Sequence, residues 1–158
     1  MTAAVSDLTP WHRDNICPDE CLCHNPSRAA VRDQLEPFLL ESDPTYNHAV
    51  YVLECRRRSR EAATYLALDE LDICSIPGWV RAAPQFDRLF YIGVSQRPAV
   101  RIYQHAIASG ANFTELFPPV RIVDIDWYTN VAESYREEVR KADRYRAAYP
   151  DAYVSQPG

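Results

Sequence analysis

The sequence predicts an α+β fold in which a small three-stranded sheet is flanked by helices and preceded by an N-terminal helical appendage. Residues 49–55 and 89–94 are rich in β-branched and aromatic residues, as buried strands are. Residues 120–128 alternate apolar and polar side chains, which is typical of a strand with one buried face. Segments of helical periodicity separate these strands, so we expect helices to cover the sheet.

The composition is that of one intracellular domain. With 158 residues, 47% of them hydrophobic, the chain is long enough to bury a core. It has no apolar run of membrane-spanning length and no signal-peptide pattern at its N-terminus, so we expect a cytoplasmic protein. Its five cysteines are then thiols or metal ligands rather than disulfides. The net charge of −5 argues against nucleic-acid binding through bulk charge, although a local basic surface can still bind phosphate.

Residues 1–46 are expected to form the appendage. Their first half is poor in core residues but rich in soft metal ligands, namely His12, Cys17, Cys21, Cys23 and His24. Four of these could bind a structural Zn²⁺. The spacing differs from the common paired Cys-x2-Cys sites, so a set of reduced thiols is the alternative. A docking helix is predicted to follow, capped by Asn25 and interrupted at Pro37.

The first strand carries Tyr51 and is followed directly by Arg56, Arg57 and Arg58. In one interpretation these arginines contact phosphate at the mouth of a cleft, and in the other they are a solvated strand end. Residues 56–87 then separate the first two strands, a connection much longer than a hairpin loop. This insertion could contact nucleic acid, bind a partner or cover the sheet, and the sequence does not distinguish among these.

The second strand and the helix after it carry residues suited to chemistry. Tyr91 lies in the strand, and Gly93 predicts a place where another group approaches the backbone closely. Arg101 and His105 are four residues apart and lie on one side of the helix. The apolar face of that helix is predicted to comprise Val100, Tyr103 and Ile107. A phenol, a guanidinium and an imidazole together suit phosphodiester chemistry.

The last long helix is predicted to begin at a capping box headed by Asn130. Its apolar stripe is predicted to comprise Val131, Tyr135, Val139, Ala142, Tyr145 and Tyr149. Glu138 falls inside this stripe, whereas Glu133 and Glu137 point outward. Because a carboxylate that faces the core is unfavourable unless it binds something, we expect Glu138 to have a ligand or an arginine partner.

These residues resemble the signature of the GIY-YIG nucleases. Tyr91-Ile92-Gly93, followed by Arg101 and His105, is similar to its second half. Ala49-Val50-Tyr51 is similar to a degenerate first half that keeps only the tyrosine. In that family a glutamate on the last helix binds the catalytic metal, and Glu138 matches it, while Gln156 lies near the position of a frequent Asn. The resemblance covers residues 47–158, interrupted by the insertion.

The resemblance implies a GIY-YIG-like fold and metal-dependent endonuclease activity on DNA. Glu138 would bind Mg²⁺ or Mn²⁺, and Arg101 would hold the scissile phosphate. Tyr51, Tyr91 or His105 would orient or deprotonate the attacking water. The expected nucleic-acid contacts are Arg56, Arg57, Arg58 and Arg97.

Two other classes of function fit the sequence. The missing Gly-Ile before Tyr51, the acidic net charge and the insertion favour a catalytically inactive GIY-YIG-like module that binds nucleic acid or protein. The N-terminal cysteines favour a zinc-stapled interaction protein. Arg101, His105 and Glu138 favour catalysis, because packing alone does not require all three. The sequence does not indicate the DNA specificity, the mode of cleavage or the oligomeric state.

Overall fold

The computed structural model describes residues 21–23, 26–39, 45–70, 76–107 and 110–156. Within these ranges the helices are α1 (Arg28–Leu35), α2 (Arg60–Glu70), α3 (Gly78–Ala82), α4 (Pro98–Ala106), α5 (Asn112–Leu116) and α6 (Val131–Ala148). The strands are β1 (His48–Cys55), β2 (Arg88–Ser95), β3 (Pro119–Tyr128) and β4 (Ala152–Ser155). Short 3₁₀ turns follow α1 and α3. None of the helices in the described part of the chain combines the length and the apolar character that crossing a membrane requires.

The four strands form one mixed sheet in the order β3-β1-β2-β4. The β1 strand is antiparallel to both β2 and β3, and β4 is parallel to β2. The predicted α+β class is confirmed, but the expected three-stranded sheet is wrong because β4 adds a fourth strand. The sequence of residues 152–154 is compatible with a short closing strand, but so short a segment shows too little periodicity to establish one; its pairing with β2 and the burial of Ala152 and Val154 do so.

The sheet separates two apolar layers. On one face, Tyr51, Leu53 and Tyr91 pack with residues from α1, α2, α3, α4 and α5. On the other face, Val52 and Phe90 pack against α6. All eight residues of β1 are therefore buried, which explains why its sequence is almost continuously apolar.

The N-terminal helix packs into the same core as the sheet. Val31 and Leu35 of α1 are buried there, and the indole N–H of Trp127 on β3 donates to the carbonyl oxygen of Phe38 at 2.8 Å. The cap of α1 is Ser27, whose hydroxyl accepts the N–H of Ala30 at 3.1 Å. The predicted cap, Asn25, lies outside the described residues, whereas the predicted interruption by Pro37 is present as the 3₁₀ turn Glu36–Phe38.

The described parts of the insertion cover the sheet. They contribute Ala63, Ala67 and Val80 to the main core, and the ring of Trp79 packs 5.5 Å from that of Phe113. Covering the sheet is thus one role of this segment.

Two of the predicted helix faces are wrong. On α4, Val100 and Ile107 are 51% and 37% exposed, whereas Ile102 and His105 are fully buried. Periodicity fails there because it counts a histidine as polar, and burial depends on whether its ring nitrogens have partners.

On α6, the predicted stripe is exposed in its first half, at Val131, Tyr135 and Val139. Ala142 and Glu138 are buried as predicted, and Tyr145 and Tyr149 pack against the sheet, but Ser134 and Lys141 are buried as well. Lys141 is tolerated there because its Nζ donates to Asp124 at 2.9 Å and also to Asp126 on β3. The helix is rotated toward these polar partners, which no apolar pattern could reveal.

Candidate active site

Tyr51 and Gly93 lie opposite each other on the antiparallel strands β1 and β2. The Tyr51 ring crosses directly over Gly93, since a Cβ atom added to Gly93 would lie 2.5 Å from the phenolic oxygen. No residue with a side chain fits there unless the phenol moves. The close approach predicted at Gly93 is therefore confirmed, and the group that approaches is the tyrosine of the other strand.

His105 on α4 joins this tyrosine to a threonine. The phenolic oxygen of Tyr51 lies 2.8 Å from Nε2 of His105, and Nδ1 lies 2.8 Å from Oγ1 of Thr114. The Thr114 hydroxyl in turn donates to the carbonyl oxygen of Ala111 at 3.1 Å. Because a hydroxyl has one hydrogen and a carbonyl can only accept, we assign the imidazole hydrogen to Nδ1. Nε2 then accepts the hydrogen bond that Tyr51 donates.

Tyr91 lies beside this chain of hydrogen bonds. Its ring centroid is 4.8 Å from that of His105 and 6.4 Å from that of Tyr51. Arg101, one turn before His105 on α4, is half-buried, and its guanidinium donates to the side-chain oxygen of Gln104 at 3.2 Å.

Burial sets the protonation states of these residues. It raises the pKa of Tyr51 well above its usual value, with the Tyr91 phenol adding to the effect and the Arg101 guanidinium opposing it. Burial also raises the pKa of Tyr91 to about 12, and Arg101 again opposes it. Burial lowers the pKa of His105 to about 3, with a smaller contribution from the positive charge of Arg101. At neutral pH the site therefore holds two neutral phenols and a neutral imidazole.

Glu138 approaches the same region from α6, on the other face of the sheet. It is 3% exposed, and Nε2 of Gln156 donates to its Oε1 at 2.8 Å. Burial raises the pKa of Glu138, and the hydrogen bond from Gln156 opposes this rise. The negative charge of Glu138 also contributes to raising the pKa of both Tyr51 and Tyr91, so the carboxylate lies within electrostatic range of both phenols.

The end of β4 shows where residues from the two faces of the sheet come near each other. The pairing of β4 with β2 ends at Ser155, opposite Tyr91, and Gln156 is the next residue. Beyond that point β2 has no neighbour on this side within the described residues, so Glu138 and Gln156 lie near the open edge of the sheet. The sequence suggested Gln156 only as a loose correspondence, and the structure gives it a direct contact with Glu138.

The donor set at Glu138 fits a divalent metal held mainly by water and substrate. Among the described residues, Gln156 is the one hydrogen-bond partner of this carboxylate, and it occupies Oε1, leaving Oε2 for a ligand. Mg²⁺ is commonly bound through one or two carboxylates together with water and phosphate oxygens. No cluster of three or more His, Cys, Asp or Glu side chains suited to a metal occurs in the described ranges.

The predicted nucleic-acid contacts do not gather at this site. Arg57 Nη2 donates to the carbonyl oxygen of Pro84 at 3.4 Å, and Arg58 Nε donates to that of Leu116 at 2.5 Å. With Arg56 they follow the carboxyl end of β1, whereas Tyr51 pairs with Gly93 nearer its other end. Arg97 is exposed and directly precedes α4. Arg57 and Arg58 thus bind the 3₁₀ turn after α3 and the end of α5.

The predicted zinc ligands lie partly outside the described residues, as His12, Cys17 and His24 do. The Sγ atoms of Cys21 and Cys23 are 3.1 Å apart. Leu22 between them is fully buried, and its N–H donates to the carbonyl oxygen of Val120 on β3 at 3.1 Å.

Sequence reasoning missed two residues that shape the site. Thr114 holds His105 from a different helix, and Gly110 leaves room for the imidazole, since a Cβ atom there would lie 2.5 Å from Nδ1 of His105. In the sequence, a glycine followed a few residues later by a threonine, as at Gly110 and Thr114, is typical of an ordinary turn before a helix. Neither residue carried a signal distinct from that of a loop.

Comparison with protein-family models, with curated proteins and with solved structures gives no match for this chain.

Proposed function

We propose that this chain is a GIY-YIG-type endonuclease that hydrolyses DNA phosphodiester bonds with the help of Mg²⁺ or Mn²⁺. One observation carries the proposal: Tyr51, Tyr91, Arg101 and His105 come together from two strands and one helix, and the charge of Glu138 on α6 acts on both phenols. A carboxylate, a guanidinium and an imidazole near two buried phenols are not required for the packing of a core. Phosphodiester hydrolysis uses all of these groups.

Arg101 is the group best suited to the scissile phosphate. Its positive charge opposes the rise in the pKa of both phenols, and its side chain is half-buried rather than fully solvated. A phosphate bound to Arg101 would neutralise the charge that helps to lower the pKa of His105. Substrate binding would therefore make the imidazole a better proton acceptor.

The tyrosines and His105 would handle the attacking water. The Tyr51 hydroxyl donates to Nε2 of His105 and its oxygen accepts from Arg101, which leaves one lone pair for a water molecule. As that water loses a proton to Tyr51, the phenolic proton can move to His105, which Thr114 holds in the accepting tautomer. Tyr91, whose pKa is about 12, would stay protonated and orient the water or the phosphate.

Glu138 would hold the metal ion, with Gln156 fixing the orientation of the carboxylate. Such an ion would neutralise charge on the scissile phosphate and stabilise the leaving oxygen. The raised pKa of Glu138 is the signature of a carboxylate buried without an opposing charge of its own. A divalent cation would supply that charge.

A second candidate is a module of the same type that binds nucleic acid without cutting it. Its support is the burial of the site, because Tyr51 is 1%, Tyr91 3% and His105 0% exposed. Ala49 and Val50 also replace the expected Gly and Ile before Tyr51. In this alternative the hydrogen-bonded residues stabilise the core, and substrate never reaches them.

A structural Zn²⁺ bound by Cys21 and Cys23, with Cys17 and His24, is a separate proposal supported by the proximity of the two thiols. Metal analysis of the purified chain, repeated after Cys21→Ser, tests it. About one zinc per chain that disappears in the variant is the expected result, and a zinc-free wild type would refute it.

Cleavage assays distinguish the nuclease from the binding module. Supercoiled plasmid and flapped DNA are incubated with Mg²⁺ or Mn²⁺ and the wild type, Glu138→Ala or Arg101→Ala. Glu137→Ala and Arg140→Ala are matched controls, because these two neighbours on α6 form an exposed ion pair with each other. We expect cutting by the wild type and both controls, and loss in both site variants. No cutting by any protein, with DNA binding retained, would support the binding module.

A further inference from the structure

A groove of about 450 Å³ lies between α1 and α4, beside the candidate active site. Arg28 and Arg32 of α1 line one wall, and Val100, Tyr103 and Ile107 of α4 line the other. This volume is in the range that holds a drug-sized molecule, which is about the size of one nucleotide.

The groove combines positive charge with an aromatic surface. The Arg28 guanidinium lies 5.2 Å from the centre of the Tyr103 ring. The described residues that line the groove include no Asp or Glu, although the whole chain has a net charge of −5. Within the described ranges neither Arg28 nor Arg32 forms an ion pair. The groove therefore favours a ligand that is both anionic and planar.

The opposite wall favours the apolar part of such a ligand. Val100 on α4 and Ile107, the residue that follows this helix, are exposed there on either side of Tyr103. Aromatic rings that accept stacked bases, next to arginines that contact phosphate, are the usual elements of single-strand nucleic-acid binding. A continuous duplex could not place a base in this groove, because its bases are stacked and paired.

The position of the groove links it to the proposed phosphate clamp. Gln104 lines the groove and accepts a hydrogen bond from the Arg101 guanidinium at 3.2 Å. A strand that occupies the groove would thus continue toward Arg101 along the same helix. The wall formed by α1 belongs to the N-terminal segment, outside the part of the chain that resembles the nuclease family.

We propose that this groove binds an unpaired strand of the DNA substrate: a base takes the place of the Arg28 guanidinium over the Tyr103 ring, and Arg28 and Arg32 contact the phosphates. The inference rests on the proposed function, and it names flapped or forked DNA as the substrate class. It requires only that the chain binds DNA, so binding measured without a metal ion tests it separately from cleavage.

The first experiment measures the affinity for labelled flapped DNA, single-stranded DNA and blunt duplex in the presence of EDTA. The variants are Arg28→Ala with Arg32→Ala, and Tyr103→Leu. The control is Arg60→Ala with Arg81→Ala in a second groove, which also contains two arginines and a tyrosine but includes Glu61. Thermal melting of each protein verifies that it is folded.

We expect the groove variants to lose about tenfold in affinity for flapped and single-stranded DNA, in line with the free energy of one stacked base. Affinity for blunt duplex, and every affinity of the control variant, should change less than about twofold. Unchanged affinity for flapped DNA would overturn the proposal. An equal loss for blunt duplex would also overturn it, since the arginines would then bind phosphate without selecting an unpaired strand.

A second experiment locates the base directly. Flapped DNA with 5-iodouracil in the unpaired strand is irradiated in complex with the wild-type chain in EDTA, and the cross-linked peptide is identified by mass spectrometry. A cross-link to Tyr103 is the expected result, and cross-links confined to other parts of the chain would refute the proposal. If cross-linking succeeds but no DNA is ever cleaved, the proposed nuclease activity is refuted, whereas the proposal that the groove binds an unpaired strand is supported.

Discussion

The phenolic oxygen of Tyr51 and Nε2 of His105 lie 2.8 Å apart and are buried, although the two residues are separated by 54 positions in the chain. Gly93 beneath the phenol and Thr114 behind the imidazole hold this pair in place. The hydrogen bond therefore depends on four residues from two strands and two helices. Each of them can be changed to test whether the pair serves structure alone or also catalysis.

Gly93→Ala should destabilise the protein and impair the site. The new Cβ atom would lie 2.5 Å from the Tyr51 oxygen, so the phenol must move and its bond to His105 must lengthen. We expect the free energy of unfolding to fall by about 1–3 kcal/mol, as in other overpacked cores, and any cleavage to fall with it. Urea unfolding and plasmid cleavage measure the two effects.

The matched control is Gly78→Ala, where an added Cβ atom would meet nothing within 4 Å. It should leave stability and cleavage nearly unchanged. If both glycine variants behave alike, the packing of Tyr51 over Gly93 is not important for the protein.

His105 should make stability depend on pH in the acidic range. Its pKa is about 3 in the folded protein and 6.5 in the unfolded chain, so the folded state favours the neutral imidazole. The neutral imidazole makes its full contribution to the free energy of unfolding above about pH 6.5. This contribution is lost as the pH falls toward 3, at about 1.4 kcal/mol per pH unit. Comparing urea unfolding of the wild type and His105→Gln at pH 7, 6 and 5 cancels the effects of other groups. Parallel pH profiles for the two proteins would contradict this assignment.

Glu138→Gln should separate function from stability. Burial raises the pKa of this carboxyl, so the ionised form is disfavoured in the folded state and reduces stability above that pKa. The glutamine keeps an oxygen that can accept from Gln156, and it removes the buried charge. We expect a higher melting temperature at pH 7 in the absence of divalent metal, together with at least about a hundredfold loss of cleavage.

Glu137→Gln is the control for this change, because Glu137 is paired with Arg140 at the surface of the same helix. It should alter neither property by much. A decrease in melting temperature for Glu138→Gln would indicate that the carboxylate stabilises the fold. It would argue against a metal site in which the buried charge of Glu138 is unpaired until the metal binds.

Thr114 should act through the tautomer of His105. Thr114→Val leaves Nδ1 without an acceptor, at a cost of about 1–3 kcal/mol for a buried donor, and frees the imidazole hydrogen to move to Nε2. Cleavage should fall because Nε2 could no longer accept the Tyr51 proton. Thr114→Ser keeps the hydroxyl and should restore cleavage and the nitrogen-15 shifts of the neutral Nδ1–H tautomer. Wild-type cleavage by the valine variant would refute this positioning role.

Much of the sheet could be predicted from the sequence. The strands that became β1, β2 and β3 are long enough for their apolar character to identify them, and the α+β class follows from their alternation with helices. The burial of Glu138 was also predicted, although for an incomplete reason. The predicted stripe placed it among apolar residues, whereas in the structure Gln156 donates a hydrogen bond to it and the polar residues Ser134 and Lys141 are buried on the same helix.

The sequence by itself determined which residue types the site contains and that Gly93 must admit another group. Tertiary structure alone decided which group that is, which faces of α4 and α6 are buried, and where β4 pairs. The physical reason is the same in each case. Whether His105 or Lys141 can be buried depends on partners such as Thr114 and Asp124, which come from other elements of the fold. Local periodicity records only the polarity of a residue, whereas its burial depends on contacts that the chain makes at a distance.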